Sequence, residues 1–319
     1  MRKEHLAAIL ALAALPLLAS CDGGSSDHDR ELDADLHDAD ATEEESQSLS
    51  PLACLTDAAC DTVMVTSHRG YHKHHPENSL AAIRGAAELG AEFVEIDVRH
   101  TSDEIVVLMH DDTLDRTTDG TGAVSDHSWA EIQQLTLTGG ETGNPESTRV
   151  PSYHETMELA RELGIMLYLD QKTERTDLVL AEIQAGSYHD VNLIRDDMAT
   201  VIAQAAEDPE LLVMPSISSE DDLAAVLAAI AALHIVEVGF NQPAPALVSA
   251  IRASGIKVQQ DLLGASDIRA VLGDYKGWKA VIETGVYLPQ TDLPNLLVPA
   301  VREFNRTGVF PEEGPADMP

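Results

Sequence analysis

Aromatic residues are scarce. Four Phe, six Tyr and two Trp make up 4% of the 319 residues, too few to build the stacking platforms that a polysaccharide-binding surface needs. Bases are scarce as well: 20 Lys and Arg stand against 55 Asp and Glu, for a net charge of −35. A chain this acidic should avoid nucleic acid and anionic headgroups unless a local basic site or a bound metal intervenes. Only three cysteines occur, Cys21, Cys54 and Cys60, which argues against a thiolate metal centre. Beyond the first twenty residues no apolar run approaches the length of a membrane span, and no internal repeat is visible.

What is there begins with an export pattern. Arg2 and Lys3 precede an apolar run from Leu6 to Leu18, and small residues lead to Cys21. The run is too short for a permanent span and suits a cleaved signal. Leu18-Ala19-Ser20-Cys21 resembles a bacterial lipobox, which implies acylation of Cys21 and a chain anchored to a bacterial membrane, facing the periplasm or the exterior. Residues 22–50 hold eleven acids and one base with little apolar content, the composition of a disordered tether. The domain organisation is therefore a signal over 1–21, a tether over 22–50 and one catalytic domain over 51–319. Cys54 and Cys60 can close a short loop in an oxidising compartment, the alternative being free thiols.

From residue 61 onward, short β-branched runs alternate with helical segments, as in a parallel α/β fold. The expected strands are 62–67, 92–98, 165–170, 190–195, 210–215, 234–239, 256–261 and 279–284. Helices are expected over 78–89, over 152–163 with Ser152 and Glu155 in capping-box spacing and Gly164 as a stop, and over 220–232. A ninth run, Ile105 to Met109, follows Asp97 too closely for a parallel crossover. Segment 99–110 therefore reads as a hairpin extending the second strand. Eight parallel strands remain, the count of a TIM (β/α)8 barrel, with a doubly wound open sheet as the alternative. Residues 111–150 would form a long insertion over the catalytic face.

Polar residues gather at the expected strand ends, where a barrel places its chemistry. The first strand ends in Ser67-His68-Arg69-Gly70, a proton carrier beside a phosphate partner. The second ends in Glu95-Ile96-Asp97, whose period-two spacing puts both carboxylates on one face. Side by side inside a barrel they repel, unless a divalent cation neutralises them. His110-Asp111 closes the hairpin and can return a second imidazole to the same mouth, as paired acid–base catalysis requires. The third strand ends in Asp170-Gln171-Lys172, offering a third cation ligand and a compensating charge, or an internal salt bridge.

Taken in order, His68-Arg69-Gly70, Pro76-Glu77-Asn78-Ser79, Glu95-x-Asp97, His110-Asp111-x-x-Leu114-x-Arg116-Thr117-Thr118, Pro151, Asp170-x-Lys172 and Thr291-Asp292-Leu293-Pro294 resemble the signature of glycerophosphodiester phosphodiesterases. The resemblance covers roughly residues 62–300. It implies a TIM barrel, a divalent cation (Ca²⁺ or Mg²⁺) and a glycerophosphodiester substrate. It further implies His68 and His110 as the acid–base pair, Arg69 and Lys172 as phosphate partners, and Glu95, Asp97 and Asp170 as metal ligands. Glu77 and Asn78 match a supporting loop, and Asn78 also suits the N-cap of the next helix. Four departures stand out. Asp170 replaces the usual Glu, and the Tyr71–His75 loop is long and basic and reads as solvated. Val258-Gln259-Gln260-Asp261 lacks the family's tryptophan, and Gly285 to Gln290 looks inserted before Thr291.

Overall fold

The computed structural model describes residues 50–141, 143, 145–239 and 244–315. The export signal, Cys21 and, Ser50 apart, the acidic stretch 22–50 lie outside these residues. Residues Ser48–Pro319 group as one unit.

Among the described residues, nine strands make one sheet: β1 (Thr66–Ser67), β2 (Phe93–His100), β3 (Val106–Leu108), β4 (Met166–Gln171), β5 (Asn192–Asp196), β6 (Leu212–Ile217), β7 (Ile235–Val238), β8 (Lys257–Asp261) and β9 (Leu288–Thr291). Eight of them pair in parallel, and β1 bonds to both β2 and β9, so the sheet closes on itself. This is a TIM barrel, and the open-sheet alternative falls. β3 folds back antiparallel on the end of β2, with Val98 opposite Leu108, as expected of a segment too short for a crossover.

Strand alternation sorts the side chains. On β2, Val94, Ile96 and Val98 face the surrounding helices within the main core, whereas Phe93 packs inside the barrel with Met64, Met166, Tyr168, Leu193, Met214, Ile235 and Leu288. This inner cluster fills the lower barrel. Helix Pro51–Thr56 packs onto it through Cys54 and Leu55, and a disulfide ties Cys54 to Cys60. Phe93 is fully buried, so Phe93→Ala would cost about 3–5 kcal/mol. The next inward positions along the strands are polar, so the apolar filling ends halfway up.

The helices start and stop where local chemistry dictates. Ser152 caps helix Tyr153–Leu163 with Glu155 returning the bond, and Gly164 ends it in the left-handed region at φ 68°. Helix 220–232 is realised as Glu220–Ala229. Two expectations need correction. Helix Leu80–Leu89 is capped by Ser79, whose side chain accepts the Ala82 N–H, because Asn78 is engaged elsewhere. The last strand is not 279–284, which lies mostly in helix Lys276–Ile282. Trp278, Val281 and Ile282 are its buried residues, an i, i+3, i+4 set that a short apolar run shares with a strand. The eighth barrel strand is Leu288–Thr291, so the second half of the supposed insertion 285–290 is barrel wall. Residues 111–150 do form an insertion, with its own core of Leu114, Val124, Ile132, Leu137 and Val150 against Val107 and Met109.

Candidate active site

The alternation that sends Phe93 inward also sends Glu95 and Asp97 inward, one and two steps nearer the strand's C-terminal end. The β2–β4 register sets Glu95 beside Tyr168 and Asp97 beside Asp170. Ligand oxygens of Glu95, Asp97 and Asp170 all lie within 4.8 Å of one another. Glu95 and Asp97 are 3% and 1% exposed. Burial first, then the charges of Asp97 and Asp170, push the Glu95 carboxyl well above its ordinary range. Three hard oxygen donors that repel one another fit a divalent cation such as Ca²⁺ or Mg²⁺ and do not suit a soft one.

Cations surround this cluster. Lys172 Nζ lies 2.6 Å from Asp170 Oδ2 and 3.8 Å from Asp97 Oδ1. Arg69 donates its backbone N–H to Glu95 Oε2 at 2.8 Å and its Nη1 to Glu77 Oε1 at 3.0 Å. Its Nε stands 3.4 Å from Asp97 Oδ2. Asn78 grips Asp97 twice, donating Nδ2 to Oδ2 at 2.9 Å and accepting the Asp97 N–H at 3.1 Å. Both Arg69 and Asn78 hold left-handed backbone, at φ 51° and 56°, strain that non-glycine residues keep where the surroundings enforce it. Gly70 must lack a side chain: a Cβ there would meet the Ala82 backbone at 2.6 Å.

His68 and His110 line the same cavity as these groups, a space of about 330 Å³. His68 Nδ1 is 2.7 Å from Asp292 Oδ1, and His110 Nδ1 is 2.8 Å from Asp111 Oδ1. An ionised carboxylate only accepts, so each Nδ1 carries the proton and each Nε2 is left for substrate. His68 Nε2 indeed points inward, 3.9 Å from Glu95 Oε2. Burial alone would raise the Asp292 carboxyl, but the His68 bond and the nearby His68, His72 and Lys73 charges hold it well below the ordinary range. The Arg116 hydrogen bond does most to lower Asp111, and His110 adds to it.

The cavity thus gathers every proposed catalytic, phosphate and metal residue. Glu77 and Asn78 stand directly behind them, and the Cys54–Cys60 disulfide lies away at the base. Sequence reasoning missed the residues that hold the site together. Arg116 bonds both Asp111 and Glu77, joining the His110 and Arg69 arms. Arg99 fixes the His110 and Lys172 carbonyls from one guanidinium. Arg116 and Asp292 were visible only as parts of motifs. Arg195, Glu237, Asp261 and Gln290 form the far wall, and their inward period-two placement was the available signal. Arg195 Nε donates to Glu237 Oε2 at 2.9 Å. Burial, with Glu237 close by, pushes Asp261 up to about 6. A larger space of about 520 Å³, at the start of β8 and β9, is lined by Arg252, Lys257 and Tyr287 among others and gathers none of the site residues.

A profile described as "Glycerophosphoryl diester phosphodiesterase family" matches residues 68–263. The chain belongs to the glycerophosphoryl diester phosphodiesterase family. Among curated relatives, Homo sapiens glycerophosphodiester phosphodiesterase 1 is 39% identical over 114 residues, covering 35% of this chain and 34% of that one. Caldanaerobacter subterraneus subsp. tengcongensis glycerophosphodiester phosphodiesterase is 39% identical over 112 residues, covering 34% of this chain and 45% of its own. The chain thus spans a third to under half the length of the curated relatives it matches. Likeness of fold extends further. A glycerophosphoryl diester phosphodiesterase structure from Parabacteroides distasonis superposes with a TM-score of 0.68 at 23% identity, over 83% of this chain and 93% of that one. A glycerophosphodiester phosphodiesterase structure from Agrobacterium tumefaciens gives 0.61 at 26% identity, over 76% and 99%.

Proposed function

We propose that this chain hydrolyses glycerophosphodiesters to glycerol-3-phosphate and an alcohol, using His68 and His110 as an acid–base pair. The observation that carries the reading is their convergence on one cavity, each imidazole held through Nδ1 by an aspartate, around the Glu95–Asp97–Asp170 cluster. Those three carboxylates would hold a divalent cation, Ca²⁺ or Mg²⁺, which would supply Lewis acidity toward the phosphate and a glycerol hydroxyl. One imidazole Nε2 takes the proton of that hydroxyl as it attacks phosphorus, and the other, entering as the imidazolium, gives its Nε2 proton to the departing alcohol. Arg69 and Lys172 balance the charge that grows on the equatorial oxygens. Water then opens the cyclic glycerophosphate with the imidazole roles exchanged. Among the described residues, Tyr168 and Leu263 are the only largely apolar ones lining the cavity, which favours a small polar diester over a lysophospholipid.

The test is glycerol-3-phosphate release from glycerophosphocholine with EDTA, Ca²⁺ or Mg²⁺, beside His68→Ala and His110→Ala. Release restored by metal and abolished in both variants is expected. Folded protein that releases nothing under any metal would overturn the reading. A diester without the vicinal hydroxyl should react at least about 100-fold more slowly, since attack within the substrate is lost. We also propose that the chain is exported and anchored through an acylated Cys21. Radiolabelled fatty acid should enter the wild type and not Cys21→Ser; equal labelling would refute the anchor.

A further inference from the structure

The Tyr71–His75 loop is only partly solvated, and it brings a second set of donors to the rim of the cavity. His72 is 15% exposed, and its Nδ1 lies 2.8 Å from the carbonyl oxygen of His68. A carbonyl only accepts, so Nδ1 carries a proton, and in the neutral ring Nε2 presents a lone pair. His72 Nε2 lies 3.5 Å from Asp292 Oδ1, another acceptor. Two acceptors turned toward each other repel unless a proton or a cation sits between them. His68 Nδ1 approaches the same carboxylate, and one ligand atom from each of His68, His72 and Asp292 lies within 4.8 Å of the others.

We propose that His72 Nε2, His68 Nδ1 and the Asp292 carboxylate form a second, inhibitory cation site that takes borderline transition metals such as Zn²⁺. Two imidazoles and one carboxylate suit Zn²⁺, Ni²⁺ or Cu²⁺ far better than Ca²⁺ or Mg²⁺. The carbonyl that fixes the His72 tautomer is the outer-shell partner that metal-binding histidines generally have. Binding has a defined consequence for His68. Its ring stays neutral, but the metal takes Nδ1, so the single ring proton moves through solvent to Nε2. His68 then has no lone pair facing the cavity and cannot accept a proton there. Lys73 Nζ, 3.2 Å from Asp292 Oδ2 and half exposed, sets a positive charge on the same carboxylate, which opposes binding of a second cation.

This consequence rests on the acid–base role proposed for His68, whereas binding itself does not. Zinc is titrated calorimetrically into the full chain held in excess Ca²⁺, so that the carboxylate cluster is already satisfied. Wild type, His72→Gln and Lys73→Met are compared, each checked for fold by circular dichroism. The expected result is one zinc per chain at this site, weakened at least about tenfold by His72→Gln and tightened by Lys73→Met. Inhibition of diester hydrolysis should weaken and strengthen in the same order. Identical titrations for wild type and His72→Gln would overturn the proposal. So would zinc heat that fades as Ca²⁺ is raised, because the ion would then belong to the carboxylates. If the protein hydrolyses no diester, calorimetry still decides the site, so the two readings fail separately.

Discussion

Replacing Asp292 by asparagine isolates one charge in the site. Asp292 accepts from His68 Nδ1 at 2.7 Å in a partly buried position. Asparagine has the same shape and keeps a carbonyl oxygen that can accept the same N–H, so the ring should stay in place with its tautomer unchanged. What disappears is the negative charge that balances the imidazolium while Nε2 holds a proton. A hydrogen bond to a charged group contributes about 1.5–3 kcal/mol, which corresponds to a loss of about 10–150-fold in rate. Steady-state hydrolysis of glycerophosphocholine, measured for wild type, Asp292→Asn, His68→Ala and the double variant, gives the comparison. The fall should appear in kcat with KM little changed, since the charge acts when the proton moves. The double variant should be no slower than His68→Ala alone, because Asp292 works through His68. Full activity in Asp292→Asn, or losses that multiply in the double variant, would refute this account of the pair.

Three further outcomes follow from the geometry. Arg116→Met, which releases both Asp111 and Glu77, should lower kcat about 10–100-fold while costing only about 1 kcal/mol of stability for a half-exposed guanidinium; unchanged kcat would show that the two arms need no bridge. Glu95→Gln removes a carboxyl destabilised by burial and by its two acidic neighbours, so the metal-free protein should melt a few degrees higher and lose any rise in Tm on adding Ca²⁺ or Mg²⁺. Burial raises Asp267 from 3.8 to about 6 while Trp278, Thr291 and Asp292 all bond to it. Its contribution is therefore full below about pH 4 and lost as pH rises through about 6, a change of about 3 kcal/mol. Urea unfolding at several pH values should show this fall in wild type and a smaller one in Asp267→Asn, where Asp261, also raised to about 6, still contributes.

Much of the barrel was legible because parallel strands buried on both faces leave short β-branched runs that alternate with helical segments. The short gap after Asp97 ruled out a ninth parallel strand and gave the hairpin. The final strand misled because Ala280-Val281-Ile282 satisfies helix and strand patterns equally, and only packing of Trp278 decided it. Asn78 lost the expected cap for a related reason. Local chemistry favours it there, but a buried Asp97 needs its amide more, and Ser79 stands ready to cap.

By itself the sequence determined the alternation that turns Glu95, Asp97, Tyr168 and Asp170 inward, since a period of two is a property of the extended chain. It determined the order of the motifs and the acidity of the chain. Closure decided the rest. Asp292 meets His68, and Arg116 meets Glu77, only because β1 pairs with β9 and the insertion folds back over β2. The first contact spans 224 positions and the second 39, and neither leaves a local pattern. The partners that set each imidazole's tautomer differ in this respect, because Asp111 is adjacent to His110 and Asp292 arrives from the far end of the chain.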